Sequence, residues 1–192
     1  MYDWQTMSEG ERMEALADRC RKKYPVHGLP HFSDGTPGVF FITGTNYRHR
    51  EIVGKTDHRM SDFTNRLFEV IQNCSFEINA FCLLRNHYHV LVDGQDVADL
   101  RKSLGILHGR TSRWWNLEDE SVGRKVWNGV FDTLVRTNRQ YYSTMNYIHN
   151  NPVKLGFCEK VTEWPWSTAS SFINAVGREE AIRIWKSYPA KE

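Results

Sequence analysis

Apolar positions along the chain repeat with two different periods, in alternating blocks. Residues 39–47 are a β-rich apolar run, Val39-Phe40-Phe41-Ile42-Thr43 leading to Tyr47, which predicts a buried first strand. In 57–74 the apolar residues Met60, Phe63, Leu67, Val70 and Ile71 recur at three and four, the spacing of an amphipathic helix. Residues 76–84 return to strand character. Arg85-Asn86 is a tight turn and 87–93 is a third strand, so the two runs predict a hairpin. Residues 97–116 are helical again, with Val97, Leu100, Leu104, Leu107 and Thr111 on the buried side. An Asn128-Gly129 pair sits inside the apolar run 125–135 and predicts a second hairpin there. A helix over 139–150 follows, with Pro152 and Gly156 bracketing its exit. The tail predicts a short helix through Phe172 and a last one over 179–185.

The N-terminus adds a further element. Ser8-Glu9-Gly10-Glu11 has the form of a capping box, and Met13, Leu16, Ala17 and Cys20 continue it at helical spacing. Pro25 ends that helix by Tyr24, because the residue before a proline avoids helical geometry. Residues 28–38 are rich in Gly and Pro and read as loop. Arg19, Arg21, Lys22 and Lys23 cluster near the helix end. A solvated last turn favoured by the helix dipole accounts for them, and a DNA-contacting arm is the alternative. The whole order describes an α+β sandwich, with helices on an antiparallel sheet. It divides into an N-terminal extension (1–38), a main domain (39–172) and a helical tail (173–192).

Composition narrows the class. A chain of 192 residues with 40% hydrophobic and 25% charged residues supports one soluble domain with a real core. It has no apolar run near the roughly 20 residues of a membrane span and no secretory signal pattern, so a cytoplasmic protein is expected. Cys20, Cys74, Cys82 and Cys158 are scattered without a CxxC pair, as in reduced, packed thiols. A net charge of +2 does not announce a nucleic-acid binder, and the seven Trp and eight Tyr suit a core as well as base stacking.

The chemistry concentrates in two stretches. In Asn86-His87-Tyr88-His89-Val90-Leu91-Val92 the two histidines are two apart on a strand, so both side chains project from one face. Two neighbouring imidazoles can begin a divalent metal site. They are equally compatible with half-exposed surface or a satisfied core pair. In the helix over 139–150, Tyr147 and Asn151 are four apart and share a face if the helix persists past Asn150. A phenol and an amide near two imidazoles make a phosphoryl-transfer set. Tyr147 would attack phosphorus, aided by a metal acting as Lewis acid. A tyrosine simply packed with its hydroxyl at the surface fits the spacing too.

Three motifs in order carry a family resemblance. His87-Tyr88-His89 resembles the His-hydrophobic-His (HUH) motif of single-tyrosine nucleases and transposases. Tyr147-Ile148-His149-Asn150-Asn151-Pro152-Val153-Lys154-Leu155-Gly156 resembles the YI-x-x-NPVK-x-G signature of the REP-associated tyrosine transposases, relatives of the IS200-like transposases. Trp164-Pro165-Trp166-Ser167 is similar to the W-P-[WFY]-S stretch that follows it there. The resemblance covers about 39–172. It implies the HUH endonuclease fold, a ferredoxin-like antiparallel sheet flanked by helices, with N- and C-terminal helical additions. It implies Mg²⁺ or Mn²⁺ held by His87 and His89, and Tyr147 as nucleophile on single-stranded DNA beside palindromic, REP-like hairpins. The tyrosine would take the 5′ phosphate and release a 3′ hydroxyl. Asn151 stands where related insertion-sequence enzymes often carry a Gln as third ligand, and is one methylene shorter. The candidates for DNA contact are Arg48, Arg50, Arg101, Arg110, Arg113, Arg136, Arg139 and Lys154, with Trp114 and Trp115 available for stacking. The resemblance is compatible with a monomer or a homodimer. The alternative function is a domesticated protein that binds hairpin DNA without cutting it. A replication or conjugation initiator of the wider HUH class fits the YI-x-x-NPVK block less well.

Overall fold

A computed structural model describes residues 37–190, together with Ser8 and Gly10. The N-terminal helix expected over 8–24, its basic cluster and Cys20 therefore lie outside the described residues. The predicted alternation is otherwise present. Strand β1 (Gly38–Asn46) leads through two short 3₁₀ turns into helix α1 (Asp57–Asn73). Strands β2 (Glu77–Leu83) and β3 (His87–Gly94) follow, then helix α2 (Val97–Glu118) and strand β4 (Trp127–Val135). Helix α3 (Asn138–Lys154) comes next, and the tail forms α4 (Ala169–Val176) and α5 (Arg178–Ser187). Thr56, Asp96 and Thr137 cap α1, α2 and α3, each side chain accepting from the backbone N–H three residues on.

The four strands form one antiparallel sheet in the order β2-β3-β1-β4. With α1 after β1 and α2 after β3, this is the β-α-β-β-α-β ferredoxin-like arrangement. Alternation sorts the side chains. Phe40, Ile42, Tyr88, Val90 and Val92 pack toward α1 and α2, where Tyr88 meets Phe63 and His108 at ring distances of 5.6 and 5.8 Å. The opposite face, with Phe41 and His89, receives Tyr147 of α3. Helices therefore cover both faces. Gly44 lies directly across from Tyr88, and a Cβ there would stand 2.2 Å from the Tyr88 ring. The glycine is what lets the largest buried aromatic of the central strand lie against β1.

The tight turn at Arg85-Asn86 is confirmed: Leu84 N–H donates to His87 O at 2.7 Å across it. The hairpin expected at Asn128-Gly129 is not formed. That segment runs through β4 as one strand, paired along its length with β1. Between Thr45 and Asn46 the register shifts, so that Asn128 is the extra residue opposite them. Gly129, at φ +140, absorbs the distortion. Asn-Gly here makes a bulge because a full-length partner strand was available, which the local signal does not contain.

Two motifs acquire structural roles. Pro152 does not end α3: it lies inside the final turn, where its missing N–H removes a single bond of the helical ladder. Gly156, at φ +75, then closes the helix. Its N–H donates to Val153 O and that of Phe157 to Pro152 O, a Schellman arrangement that carries α3 past Asn151. The Trp164-Pro165-Trp166-Ser167 segment covers the open edge of β2. Leu83 N–H donates to Trp166 O, Thr168 N–H to Phe81 O, and the indole N–H of Trp164 to Leu83 O. This removes an edge that would otherwise invite strand pairing. Cys74, Cys82 and Cys158 are free thiols, as expected.

Candidate functional site

The site is built where β3 meets α3. Period-two alternation turns His87 and His89 to the same side of the sheet, with ring centroids 4.8 Å apart. Each ring is oriented by an oxygen at Nδ1. His87 Nδ1 lies 2.5 Å from Asn86 Oδ1, and His89 Nδ1 lies 2.9 Å from Thr43 Oγ1 on the neighbouring strand. An amide oxygen only accepts, so the His87 proton sits on Nδ1 and Nε2 keeps its lone pair. Oxygen partners of this kind commonly fix the orientation and tautomer of metal-ligating imidazoles. Burial, and then proximity to His49, lowers the His87 pKa to about 4. Burial, and then His87, holds His89 well below the ordinary range. Both rings are neutral at physiological pH, the protonation state in which imidazole binds a cation.

Tyr147 comes down on this pair from α3. Its hydroxyl is 3.4 Å from His89 Nε2, and its ring meets Phe41 edge-on at 6.1 Å, while Phe41 stacks on His89 at 5.3 Å. Burial raises the phenol pKa, and the nearby Asn151 amide opposes that rise. One helical turn on, Asn151 is buried, and its Nδ2 has no close hydrogen-bond partner among the described residues. A half-turn of the amide exchanges its oxygen and nitrogen, so the orphaned position can present a carbonyl oxygen. Two neutral imidazoles and one amide oxygen are a donor set that fits a divalent cation of intermediate hardness. No cluster of three or more His, Cys, Asp or Glu side chains that could hold a metal ion occurs among the described residues.

The structure thus brings together four of the predicted site residues, His87, His89, Tyr147 and Asn151. Thr43 and Phe41 belong beside them, two residues that no motif in the sequence marks. Alternation along β1 puts both on one face, but only the register of β1 against β3, with Thr43 opposite His89, says which strand they serve.

The predicted cations are spread more widely. Arg48 and Arg50 are exposed after β1, and the Arg48 guanidinium lies 5.4 Å from the Tyr47 ring centroid. Arg136, Arg139 and Lys154 are exposed on the α3 side, and Arg110 and Arg113 on α2. Arg101 bridges to the buried carboxylate of Asp132 at 3.1 Å. It also lines a cavity of about 670 Å³ between α2 and β4, together with Lys102, Arg124 and Lys125. Gly105, Gly109 and Gly129 leave open space there. Of those four cations only Arg101 was among the predicted contacts. Trp115 is core, whereas Trp114 is partly exposed with the Arg66 guanidinium 4.5 Å from its ring centroid.

Comparison with known proteins places these features in context. The sequence profile of the family described as Transposase IS200-like matches residues 39–151. A REP-associated tyrosine transposase of Escherichia coli K12 is 28% identical over 139 residues, covering 68% of this chain and 76% of the relative. A Haemophilus influenzae relative is 26% identical over 144 residues, covering 70% of this chain and 80% of its own. Among solved structures, a REP-associated tyrosine transposase bound to a REP hairpin superimposes with a TM-score of 0.59 at 19% identity. That alignment covers 77% of this chain and 85% of the other, a likeness of fold.

Proposed function

This chain belongs to the IS200-like transposase family, and from that premise we propose that it cleaves and rejoins single-stranded DNA beside REP-like hairpins, using Tyr147 as the nucleophile. The observation that carries the reading is the approach of the Tyr147 hydroxyl to within 3.4 Å of His89 Nε2, over the face that also presents His87. Its similarity to a REP-associated tyrosine transposase of E. coli supports the substrate class.

In the reaction, Tyr147 Oη gives up its proton and forms a bond to the phosphorus of a phosphodiester. The bond from phosphorus to the 3′ oxygen breaks, and that oxygen leaves with the electron pair and takes up a proton. The 5′ phosphate stays on Tyr147 as a phosphodiester, so attack by a 3′ hydroxyl reverses the step without an external energy source. His87, His89 and Asn151 would hold Mg²⁺ or Mn²⁺, which when bound withdraws charge from a phosphate oxygen. Phe41 shields one side of the nucleophile and the imidazole from water. Thr43 and Asn86 fix the two rings. The groove lined by Arg101, Lys102, Arg124 and Lys125 would take the sugar–phosphate backbone of the folded part of the DNA, with Arg48 and Arg50 as further contacts.

The test is incubation with single-stranded DNA carrying palindromes from the flanks of the protein's own gene, plus Mn²⁺, followed by a denaturing gel. We expect a covalent adduct that is absent with Tyr147→Phe and absent in EDTA. An adduct persisting in Tyr147→Phe would move the nucleophile to Tyr141 or Tyr142. Tyr142 is the poorer candidate, since its ring stacks on Tyr188 at 4.9 Å. Hairpin binding without an adduct would instead establish a non-cleaving binder.

A further inference from the structure

Helix α3 presents two faces. One carries Tyr147 and Asn151 to the sheet, and the other is gripped by the C-terminal tail. Asn146, directly before the tyrosine, is buried and donates two hydrogen bonds from one Nδ2, to Trp185 O and to Tyr188 O, each at 2.8 Å. Those carbonyls belong to the last turn and the exit of α5, where intrahelical donors have run out. Asn150 Nδ2 in turn donates to Asn146 Oδ1 at 2.7 Å, which fixes which end of the Asn146 amide faces α5. Around this clasp the Tyr142 ring stacks on Tyr188 at 4.9 Å, and His149 meets Trp185 edge-on at 5.8 Å. The contacts at 142, 146 and 149 are one helical stripe, and α5 lies wholly beyond the family match, which ends at residue 151.

We propose that α5 is a clasp on the nucleophile helix, and that Asn146 is a positioning residue which sets the rotation of α3 and hence the place of the Tyr147 hydroxyl. The proposal rests on Tyr147 being the nucleophile. Neighbouring residues of a helix are locked about 100° apart, so fixing Asn146 on one side fixes Tyr147 on the other. A rotation of about 10° moves an atom about 6 Å from the axis through about 1 Å. A misplacement of that size can lower a rate by roughly 100-fold. Asn146 touches neither DNA nor the reacting atoms in this scheme and acts only through Tyr147.

The test uses the full chain, with single-turnover adduct formation at saturating DNA read beside hairpin affinity. Asn146→Asp keeps the shape but sets a carboxylate against two carbonyl oxygens. Tyr188→Ala removes the stack, and Tyr188→Phe retains it. Measurements are made well below each variant's melting temperature. For Asn146→Asp and Tyr188→Ala we expect the first-order rate of adduct formation to fall between about tenfold and 100-fold, with hairpin Kd within about twofold of the parent. Tyr188→Phe should keep the parent rate. Unchanged rates in both disruptive variants would overturn the proposal. So would a loss of hairpin affinity as large as the loss in rate, which would make the tail a DNA-binding element. An Asn146→Asp chain too unstable to assay leaves the Tyr188 pair to decide. Absence of an adduct in the parent protein would instead count against Tyr147 itself, so the two readings fail separately.

Discussion

Gly44→Ala adds one methyl group to the centre of the sheet, and the structure says how badly it fits. The new Cβ would lie 2.2, 2.5 and 2.7 Å from Cε1, Cζ and the hydroxyl oxygen of Tyr88, where ordinary contact begins near 3.4 Å. The ring has no room to retreat. It is fully buried, backed by Phe63 and Trp127 at 5.6 and 6.0 Å, and its hydroxyl is 3.2 Å from His108 Nε2. Overpacking of a tight core costs about 1–3 kcal/mol, and a clash with rigid ring atoms belongs at the upper end. At about 3 kcal/mol the melting temperature of a domain this size falls by roughly 6–12 °C. Urea unfolding measures the cost. The assay is a double-mutant cycle, because Tyr88→Ala removes the ring that the new methyl group would strike. In that background Gly44→Ala should cost less than about 1 kcal/mol, leaving a coupling of about 2 kcal/mol or more. Tyr88 stands between His87 and His89, so the single variant should also slow adduct formation. A cost below about 0.5 kcal/mol in the parent, or the same cost in both backgrounds, would refute the account.

Two further predictions concern the other side of the sheet. Lys102→Glu and Lys125→Glu, both in the groove between α2 and β4, should weaken hairpin binding. Each should flatten the plot of log K against log salt by about 0.9 if it removes one phosphate contact, with little effect on adduct formation from unstructured strands. An unchanged salt slope would place the stem elsewhere. His108 is buried in contact with Tyr88 and Trp127, and burial lowers its pKa from 6.5 to about 3. The folded state therefore refuses a proton that the unfolded chain accepts below pH 6.5. Its contribution to stability falls as pH drops through the window from 6.5 to about 3, by about 2 kcal/mol between pH 7 and 5. Urea midpoints at those two pH values, compared with His108→Phe, check this; an equal drop in the variant would contradict it.

Much of the site was already written into local sequence. Period-two alternation is a property of any strand, so His87 and His89 had to share a face once 87–93 was read as one. The helical repeat did the same for Tyr147 and Asn151, and the Arg85-Asn86 turn was legible because a two-residue hairpin loop is a local object. What tertiary structure decided was every relation between distant segments. Thr43 and His89 are 46 residues apart, and only the register of β1 on β3 makes them partners. Asn128-Gly129 is a strong turn signal in isolation, yet pairing with β1 along the whole of β4 outweighs it and leaves a bulge. Of the arginines chosen from sequence, Arg101 is tied to Asp132, a carboxylate 31 residues on that no helical or strand period connects to it. The grip of Asn146 on the last turn of α5 is of the same kind. Periodicity fixes which way a side chain points from its own element, whereas what it meets there depends on the packing of elements that folding alone brings together.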